Sequence, residues 1–205
     1  MVSNKGFEEF IRVREDYWPA LGKFLDVFAT VESCMQMVLW HYAKTPTHIA
    51  RAIFSGVRIK EAISFVNRIL EVSTVTPEAK ADLAYVFAQL TVITNVRNQI
   101  IHHGALPLAG SYDHLVVTNA LMALTDSRVT SMSVTGPIID DLTSDLWKVQ
   151  AHLSARHFGN KILGDDGLPE SFSPEEREAL KAAWHYKPPA QAKHPKKTRE
   201  KTPKR

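Results

Sequence analysis

Four polar side chains that can hold or act on a phosphate group lie within seven residues of one another: Arg97, Asn98, His102 and His103. An arginine carries a permanent charge and a planar fork of donors that matches phosphate oxygens. A histidine gives and takes protons close to neutral pH. Because phosphodiester transfer uses both properties, this cluster predicts a site for phosphodiester chemistry.

The cluster ends an otherwise apolar helix, which a Thr-Pro pair at 76–77 begins and Gly104 closes. In a regular helix, Asn98 and His102 share a face because they are four residues apart. Arg97 and His102 are five residues apart and point about 140° away from each other. We therefore expect these two side chains to converge only in a loosened last turn or across two subunits.

Residues 97–102, with the sequence Arg-Asn-Gln-Ile-Ile-His, resemble the motif of the HEPN domains (higher eukaryotes and prokaryotes nucleotide-binding). In that motif, four to six residues separate an arginine from a histidine. The similarity extends more loosely to the layout of helices predicted over residues 19–158. His103 satisfies the motif with one more intervening residue, so either histidine fits. Gly104 stands where HEPN toxins silenced by nucleotidyl modification carry a tyrosine, and that mode of control is not expected here.

The resemblance implies a metal-independent endoribonuclease that acts as a homodimer and uses no cofactor. On this interpretation His102 is the general acid and base, Arg97 binds phosphate and stabilises the transition state, and Asn98 orients His102 or the substrate. The partners would be RNA and a second subunit, with an antitoxin or other regulatory protein as a further partner. The setting would be a toxin, a phage defence or RNA processing.

A noncatalytic interpretation stays open beside this one. A cation and two imidazoles at a helix C-terminus complement the negative end of the helix dipole, which is a structural role. The chain would then be a HEPN-like helical module that binds a protein, a nucleotide or RNA without cleaving it.

Glu32 lies in the most apolar helix, where an ionised carboxylate is costly unless it is paired. One interpretation is that it faces solvent beside Gln36. The other is that it pairs with Arg97 or with a motif histidine and fixes its orientation.

The fold class that we predict is all-α, a HEPN-like bundle of four to five helices with a small β-hairpin inserted before the last core helix. The apolar stripe from Leu21 to Tyr42 has helical spacing and predicts core or dimer interface. We expect a helical domain over residues 1–163, a loop and short helix over 164–186, and a disordered basic tail over 187–205. The predicted elements are helices at 5–17, 19–44, 47–54, 57–72, 77–102, 137–158 and 173–184, and strands at 114–118 and 128–135.

The charge of the 205-residue chain is divided unevenly. Residues 187–205 hold eight basic residues and one acidic residue, a net charge of +7, whereas the other 186 residues hold 17 basic and 21 acidic residues, a net charge of −4. The tail is a candidate for RNA binding by charge, a solubilising extension, or a membrane-surface segment. The proposed RNA ligands are Lys193, Lys196, Lys197, Arg199, Lys201, Lys204 and Arg205.

The remaining composition excludes several classes of protein. A single cysteine, Cys34, allows no internal disulfide and no thiolate zinc site, and it favours a cytoplasmic protein. His102 and His103 are adjacent and therefore diverge on a helix, so we expect no metal site there. No uninterrupted apolar segment is long enough for a membrane span.

Overall fold

A computed structural model describes residues 4–107, 115–125, 129–158, 168 and 170–188, except for the side chains of residues 4–7 and 10. This part of the chain is mostly helical, as predicted, with a small antiparallel sheet. The proposed RNA ligands of the tail lie outside the described residues. The elements in chain order are α1 (Asn4–Ala43), α2 (Thr47–Phe54), α3 (Ile59–Val72), α4 (Pro77–His103), β1 (Leu106–Pro107), β2 (Leu115–Thr118), β3 (Ser131–Val134), α5 (Gly136–Arg156) and α6 (Pro174–Lys181).

The prediction of two helices separated at Pro19 is wrong, because α1 continues through that residue. A proline inside a helix removes one backbone donor and normally kinks or ends the helix. Here Tyr17, Leu21 and Phe24 are buried on both sides of Pro19, while Pro19 itself is exposed. Burial of the continuous apolar stripe therefore outweighs one lost hydrogen bond, whose free carbonyl belongs to the exposed Glu15.

Four helices form the bundle: α5 packs against α1 and α4, and α3 packs against the same two helices. The predicted stripe of α1 faces this core, and Cys34 is buried within it. Gly136 at the start of α5 lies against Asp16, and His157 just after its end hydrogen-bonds to Tyr42, so α1 and α5 run parallel. No helix in the described ranges is both long enough and apolar enough to cross a membrane.

The predicted hairpin is part of a three-stranded sheet in the order β1-β2-β3. The extra strand, β1, directly follows the motif helix α4 and pairs antiparallel with β2, with Leu106 opposite Val116. In turn, β2 pairs antiparallel with β3. The two-residue β1 carried too little sequence for a strand to be recognised, and it forms because β2 offers it a partner.

The chain after α6 returns to the bundle as a C-terminal strap (residues 182–188). The backbone N–H groups of His185 and Tyr186 donate to the two carboxylate oxygens of buried Asp145 on α5, at 2.8 and 3.0 Å. Gln89 on α4 donates to the same carboxylate at 2.7 Å and to the Tyr186 carbonyl at 3.2 Å. Asp145 therefore joins α4, α5 and the strap through three charge-assisted hydrogen bonds.

Lys148, one helical turn after Asp145, holds the same strap. Its ammonium donates to the Ala182 carbonyl and lies 4.6 Å from the centre of the Trp184 ring. Burial lowers the pKa of Lys148, whereas the charge of Asp145 raises it. The Trp184 ring also stacks on Tyr85 of α4, with ring centres 4.7 Å apart. The described part of the segment predicted as a loop and short helix thus packs against α4 and α5.

We predict that Asp145→Ala lowers the free energy of unfolding by about 3–5 kcal/mol, because three donors lose their acceptor and two of these hydrogen bonds are buried. Urea denaturation at pH 7 measures this loss. The matched control is Asp141→Ala, which removes an exposed carboxylate from the same helix and should change stability by no more than about 0.5 kcal/mol. Equal losses in the two variants would contradict the role of Asp145.

Candidate functional site

The motif lies in the last two turns of α4, and the signals that define this helix are those expected. The Thr76 side chain accepts from the Ala79 N–H at the N-terminus, where Pro77 occupies the first turn. At the C-terminus, the Gly104 N–H donates to the Ile100 carbonyl. Gly104 has φ 65° and ψ 171°, a conformation that is strained for any residue with a Cβ. The glycine therefore ends the helix directly after His103.

Arg97 occupies a core-facing position of α4. It follows the fully buried Leu83 and Leu90 at intervals of seven residues, which places all three on one face of the helix. Its guanidinium carbon lies 5.1 Å from the centre of the ring of Phe28 on α1, a cation–π distance. One terminal nitrogen donates to the Asn98 Oδ1 at 3.1 Å. The structure thus brings Arg97 and Asn98 into direct contact, and both side chains are half-buried.

The Arg97 charge has no carboxylate partner among the described residues. Its Nε is buried and has no hydrogen-bond partner there. Buried charges in proteins are nearly always paired or hydrogen-bonded, because desolvation of the charge is otherwise uncompensated. Arg97 is therefore a positioned cation with donor capacity left over.

The structure does not bring His102 to Arg97 within one chain. The last turn of α4 keeps regular α-helical hydrogen bonding, so the loosening that would let the two side chains converge is not present. His102 is exposed and shares its helix face with Asn98, whereas His103 is half-buried. Of the two routes by which Arg97 and His102 were expected to meet, the one across two subunits remains.

Glu32 is exposed on α1, in agreement with the solvent-facing interpretation. It lies one helical turn after Phe28, the residue on which Arg97 packs, yet it forms no ion pair with Arg97 in the described structure. The neighbouring Gln36 turns inward and donates to the Val57 carbonyl at 2.6 Å. Glu32 thus makes no ion pair in the described structure that would fix the orientation of the motif arginine.

The exposed side chains around the motif are both polar and apolar. Two clefts of about 450 and 370 Å³ in the described part of the chain are lined by residues outside the motif: one by Tyr42, Lys44 and the end of α3, the other by residues of α5, α6 and the strap. The large apolar side chains of Ile101 and Leu106, which flank the motif histidines in the sequence, are about half exposed. Within the described residues, the motif end thus exposes apolar groups beside the polar ones.

A second polar cluster, which sequence reasoning missed, lies at the opposite end of the bundle. The Asp82 carboxylate on α4 contacts the His152 Nδ1 at 3.0 Å, an Arg156 terminal nitrogen at 2.7 Å and the His157 Nε2 at 2.8 Å. The Tyr42 hydroxyl hydrogen-bonds to the His157 Nδ1 at 2.9 Å. Asp82 precedes Arg97 by 15 residues, or about 22 Å of helix, so the two clusters are separate.

The Asp82 cluster joins α1, α4 and α5. Both histidines are buried, and each directs a ring nitrogen to the Asp82 carboxylate. His152 and Arg156 lie one turn apart at the end of α5, and His157 directly follows the helix. No local sequence pattern indicates that their partner is Asp82, which precedes His152 by 70 residues. No arrangement of three or more His, Cys, Asp or Glu side chains suited to a metal ion is found among the described residues.

The pKa of Asp82 reflects opposing effects. Burial by itself raises the pKa, but the hydrogen bonds from His152 and His157 and the charges of His152 and Arg156 lower it by more. The net result is a pKa well below the usual range of an aspartate. The same charge, together with burial, raises the pKa of Tyr42.

Comparison of the chain with models of protein families, with curated proteins and with solved structures finds no match. The resemblance to HEPN domains therefore depends on the motif and on the layout of the helices.

We predict that Asp82→Asn lowers stability by about 3–5 kcal/mol at pH 7, because it leaves Arg156 without its counter-ion and removes the carboxylate that His152 and His157 contact. Since the folded-state pKa of Asp82 lies below its unfolded value, the carboxylate contributes its full stability above about pH 4 and loses it as the pH falls further. The gap between parent and variant should thus narrow below pH 4.

Urea denaturation at a series of pH values between 7 and 2.5 measures this gap. Asp26→Asn, at an exposed position of α1, is the matched control and should stay within about 0.5 kcal/mol of the parent at every pH. A gap for Asp82→Asn that is constant over the whole range would exclude the carboxylate as the titrating group.

Proposed function

We propose that this protein is a metal-independent endoribonuclease of the HEPN type that acts as a homodimer. The observation that carries the proposal is the state of Arg97: a half-buried guanidinium, held by Phe28 and Asn98, with no carboxylate partner among the described residues. An arginine that stabilises the fold through an ion pair would not leave this capacity unused. A phosphate group supplies both the charge and the acceptors that Arg97 lacks.

The chemistry assigned to the site is cleavage by the 2′-hydroxyl of the RNA itself. A base takes the proton of the 2′-hydroxyl, the 2′-oxygen bonds to phosphorus, the bond from phosphorus to the 5′-oxygen breaks, and an acid protonates that oxygen. The products are a 2′,3′-cyclic phosphate and a 5′-hydroxyl. Arg97 binds the phosphate and stabilises the charge that builds up on it, while His102 supplies the proton transfers.

The homodimer follows from the directions of these side chains. Arg97 faces the bundle core and His102 faces solvent, about 140° around α4. One histidine also cannot readily serve as base and acid in the same step. Two chains related by a two-fold axis bring a second His102 and a second Arg97 to one phosphate, which removes both difficulties.

The basic tail is assigned to RNA attraction rather than to catalysis. Its strongly positive sequence contrasts with the acidic remainder of the chain, and phosphate backbones bind such segments in a salt-dependent manner. The strap fixes the start of this segment beside Gln89, eight residues or about 12 Å before Arg97 on the same helix. RNA held by the tail would thus be close to the motif.

We predict that purified protein cleaves RNA in EDTA to 2′,3′-cyclic phosphate ends, and that His102→Ala lowers the rate at least about 100-fold. Arg97→Lys keeps the charge but removes the fork and should also lower the rate. The rate is measured with a fluorescent oligonucleotide, and the ends are identified by mass spectrometry.

The matched control is His48→Ala, since His48 is an exposed histidine on α2 and should be fully active. His103→Ala decides between the two motif histidines. Because His102 is exposed, its variant should keep the melting temperature of the parent. Equal cleavage by His102→Ala, His103→Ala and the parent would reject the proposed site and favour the noncatalytic module.

We predict that deletion of residues 189–205 weakens RNA binding mainly at low salt and leaves the melting temperature nearly unchanged. The deletion starts after the described strap because a new carboxylate at Tyr186 would lie beside Asp145. Fluorescence anisotropy with the His102→Ala chain measures binding to uncleaved RNA. The logarithm of the affinity should depend less steeply on the logarithm of the salt concentration after the deletion, and an unchanged slope would exclude the tail as an RNA anchor.

A further inference from the structure

The loop between β2 and β3 exposes an unusual run of apolar side chains. Leu121, Met122 and Leu124 are 98, 72 and 84 % exposed, and they occupy three of four consecutive positions. Single exposed aliphatic residues are common on protein surfaces, whereas a contiguous apolar patch of a few hundred Å² marks an interaction site. We name residues 119–124 the hairpin tip.

The hairpin tip has a defined structure that presents these side chains. The N–H groups of Met122 and Ala123 donate to the Asn119 carbonyl at 2.8 and 2.9 Å, which closes a helical turn. The Asn119 side chain accepts from the Thr130 N–H at 2.7 Å, and the Thr118 hydroxyl donates to the Thr130 carbonyl at 3.1 Å. Side chains thus fasten the base of the tip to β3, while the apolar residues point away from the fold.

The register of the sheet places this tip beside the motif. Leu106 of β1 lies opposite Val116 of β2, and the strands are antiparallel. Each step forward along β2 is therefore a step back along the chain toward the end of α4, and α4 itself contacts β2. The hairpin tip follows Thr118, at the end of β2 that points toward the C-terminal end of α4, where the motif histidines are.

We propose that the hairpin tip is the contact through which a second copy of this chain docks and completes the site at Arg97 and His102. The inference rests on the proposed function for its choice of partner, because the site is incomplete within one chain. A two-fold contact buries each tip along with the exposed Ile101 and Leu106 of both copies. Ten aliphatic side chains in total supply an apolar centre for an interface of about 1,200 Å² or more, the size of a stable complex.

The composition of the tip favours a protein partner over a membrane. Residues 119–125 carry no charged side chain, so the tip lacks the lysines and arginines through which a segment binds an anionic lipid surface. A two-fold contact also places identical uncharged surfaces together without like-charge repulsion. The position of the tip, its lack of charge and the incomplete site thus all favour a second copy of the chain as its partner.

The experiment compares the full-length chain with a variant that carries Leu121→Ser, Met122→Ser and Leu124→Ser. Sedimentation equilibrium should show a dimer for the parent and a dissociation constant raised about 100-fold or more for the variant. The melting temperature of the isolated monomer should not fall, since the three side chains are exposed. The matched control is Ile53→Ser with Val72→Ser, two exposed aliphatic residues of α2 and α3, which should dimerise as the parent does.

The outcomes separate this inference from the proposed function. A monomeric parent, a dimer that survives the triple substitution, or tip-dependent binding to phosphatidylcholine vesicles in place of dimerisation would each overturn the inference. If the parent dimerises through the tip but His102→Ala cleaves RNA as fast as the parent, the docking surface stands and the proposed function falls. If the triple variant still dimerises and cleaves RNA in a His102-dependent manner, the proposed function stands and the hairpin tip is not the docking surface.

Discussion

Two buried carboxylates fix how α4 lies against α5, and the position of the motif at the end of α4 follows from that. Apolar packing holds helices together without a strong preference for register, whereas a buried carboxylate tolerates only an arrangement that brings donors to its oxygens. Asp82 on α4 finds its donors near the end of α5, and Asp145 on α5 finds one of its donors, Gln89, on α4. Two such contacts along one antiparallel helix pair define its register. This register sets where the motif end of α4 lies relative to α5.

The Asp82 cluster and the motif lie at opposite ends of α4 and differ in how their arginines are paired. At the Asp82 end, one carboxylate contacts Arg156 and two histidines, and His157 joins this cluster to Tyr42 of α1. The Arg156 charge thus has a counter-ion, although its Nε has no hydrogen-bond partner among the described residues. At the other end Arg97 packs on Phe28 with donor capacity left over. Arg156 is paired with a carboxylate, whereas half-buried Arg97 has no counter-ion among the described residues, which is consistent with an anion as the partner of Arg97.

Local signals made much of the fold predictable, and the failures have physical causes. The Thr76-Pro77 start and the Gly104 end of α4 depend on a few adjacent residues, and the structure confirms both. The rule that proline ends helices failed at Pro19, because burial on both sides of it outweighed a lost bond. The sequence did not predict the roles of Asp82 and Asp145, because their partners are 40 to 75 residues away. No periodic pattern indicates pairs at such distances along the chain. For the motif, the sequence predicted which residues share a face, but not that Arg97 occupies a core-facing position in line with Leu83 and Leu90.

The core-facing position of Arg97 explains why one chain is not enough for the proposed chemistry. A side chain on the core face of α4 can be held rigidly, because Phe28 and Asn98 surround it, but it is then turned away from the face that carries His102. Rigid placement of the phosphate ligand and solvent access for the proton-transfer group are thus obtained on different faces of one helix. In the proposed dimer a second copy reconciles them, since its own His102 would approach from outside. The apolar tip beside the motif provides a surface on which such a copy can dock, so the need for a partner and a means of binding one arise at the same end of the bundle.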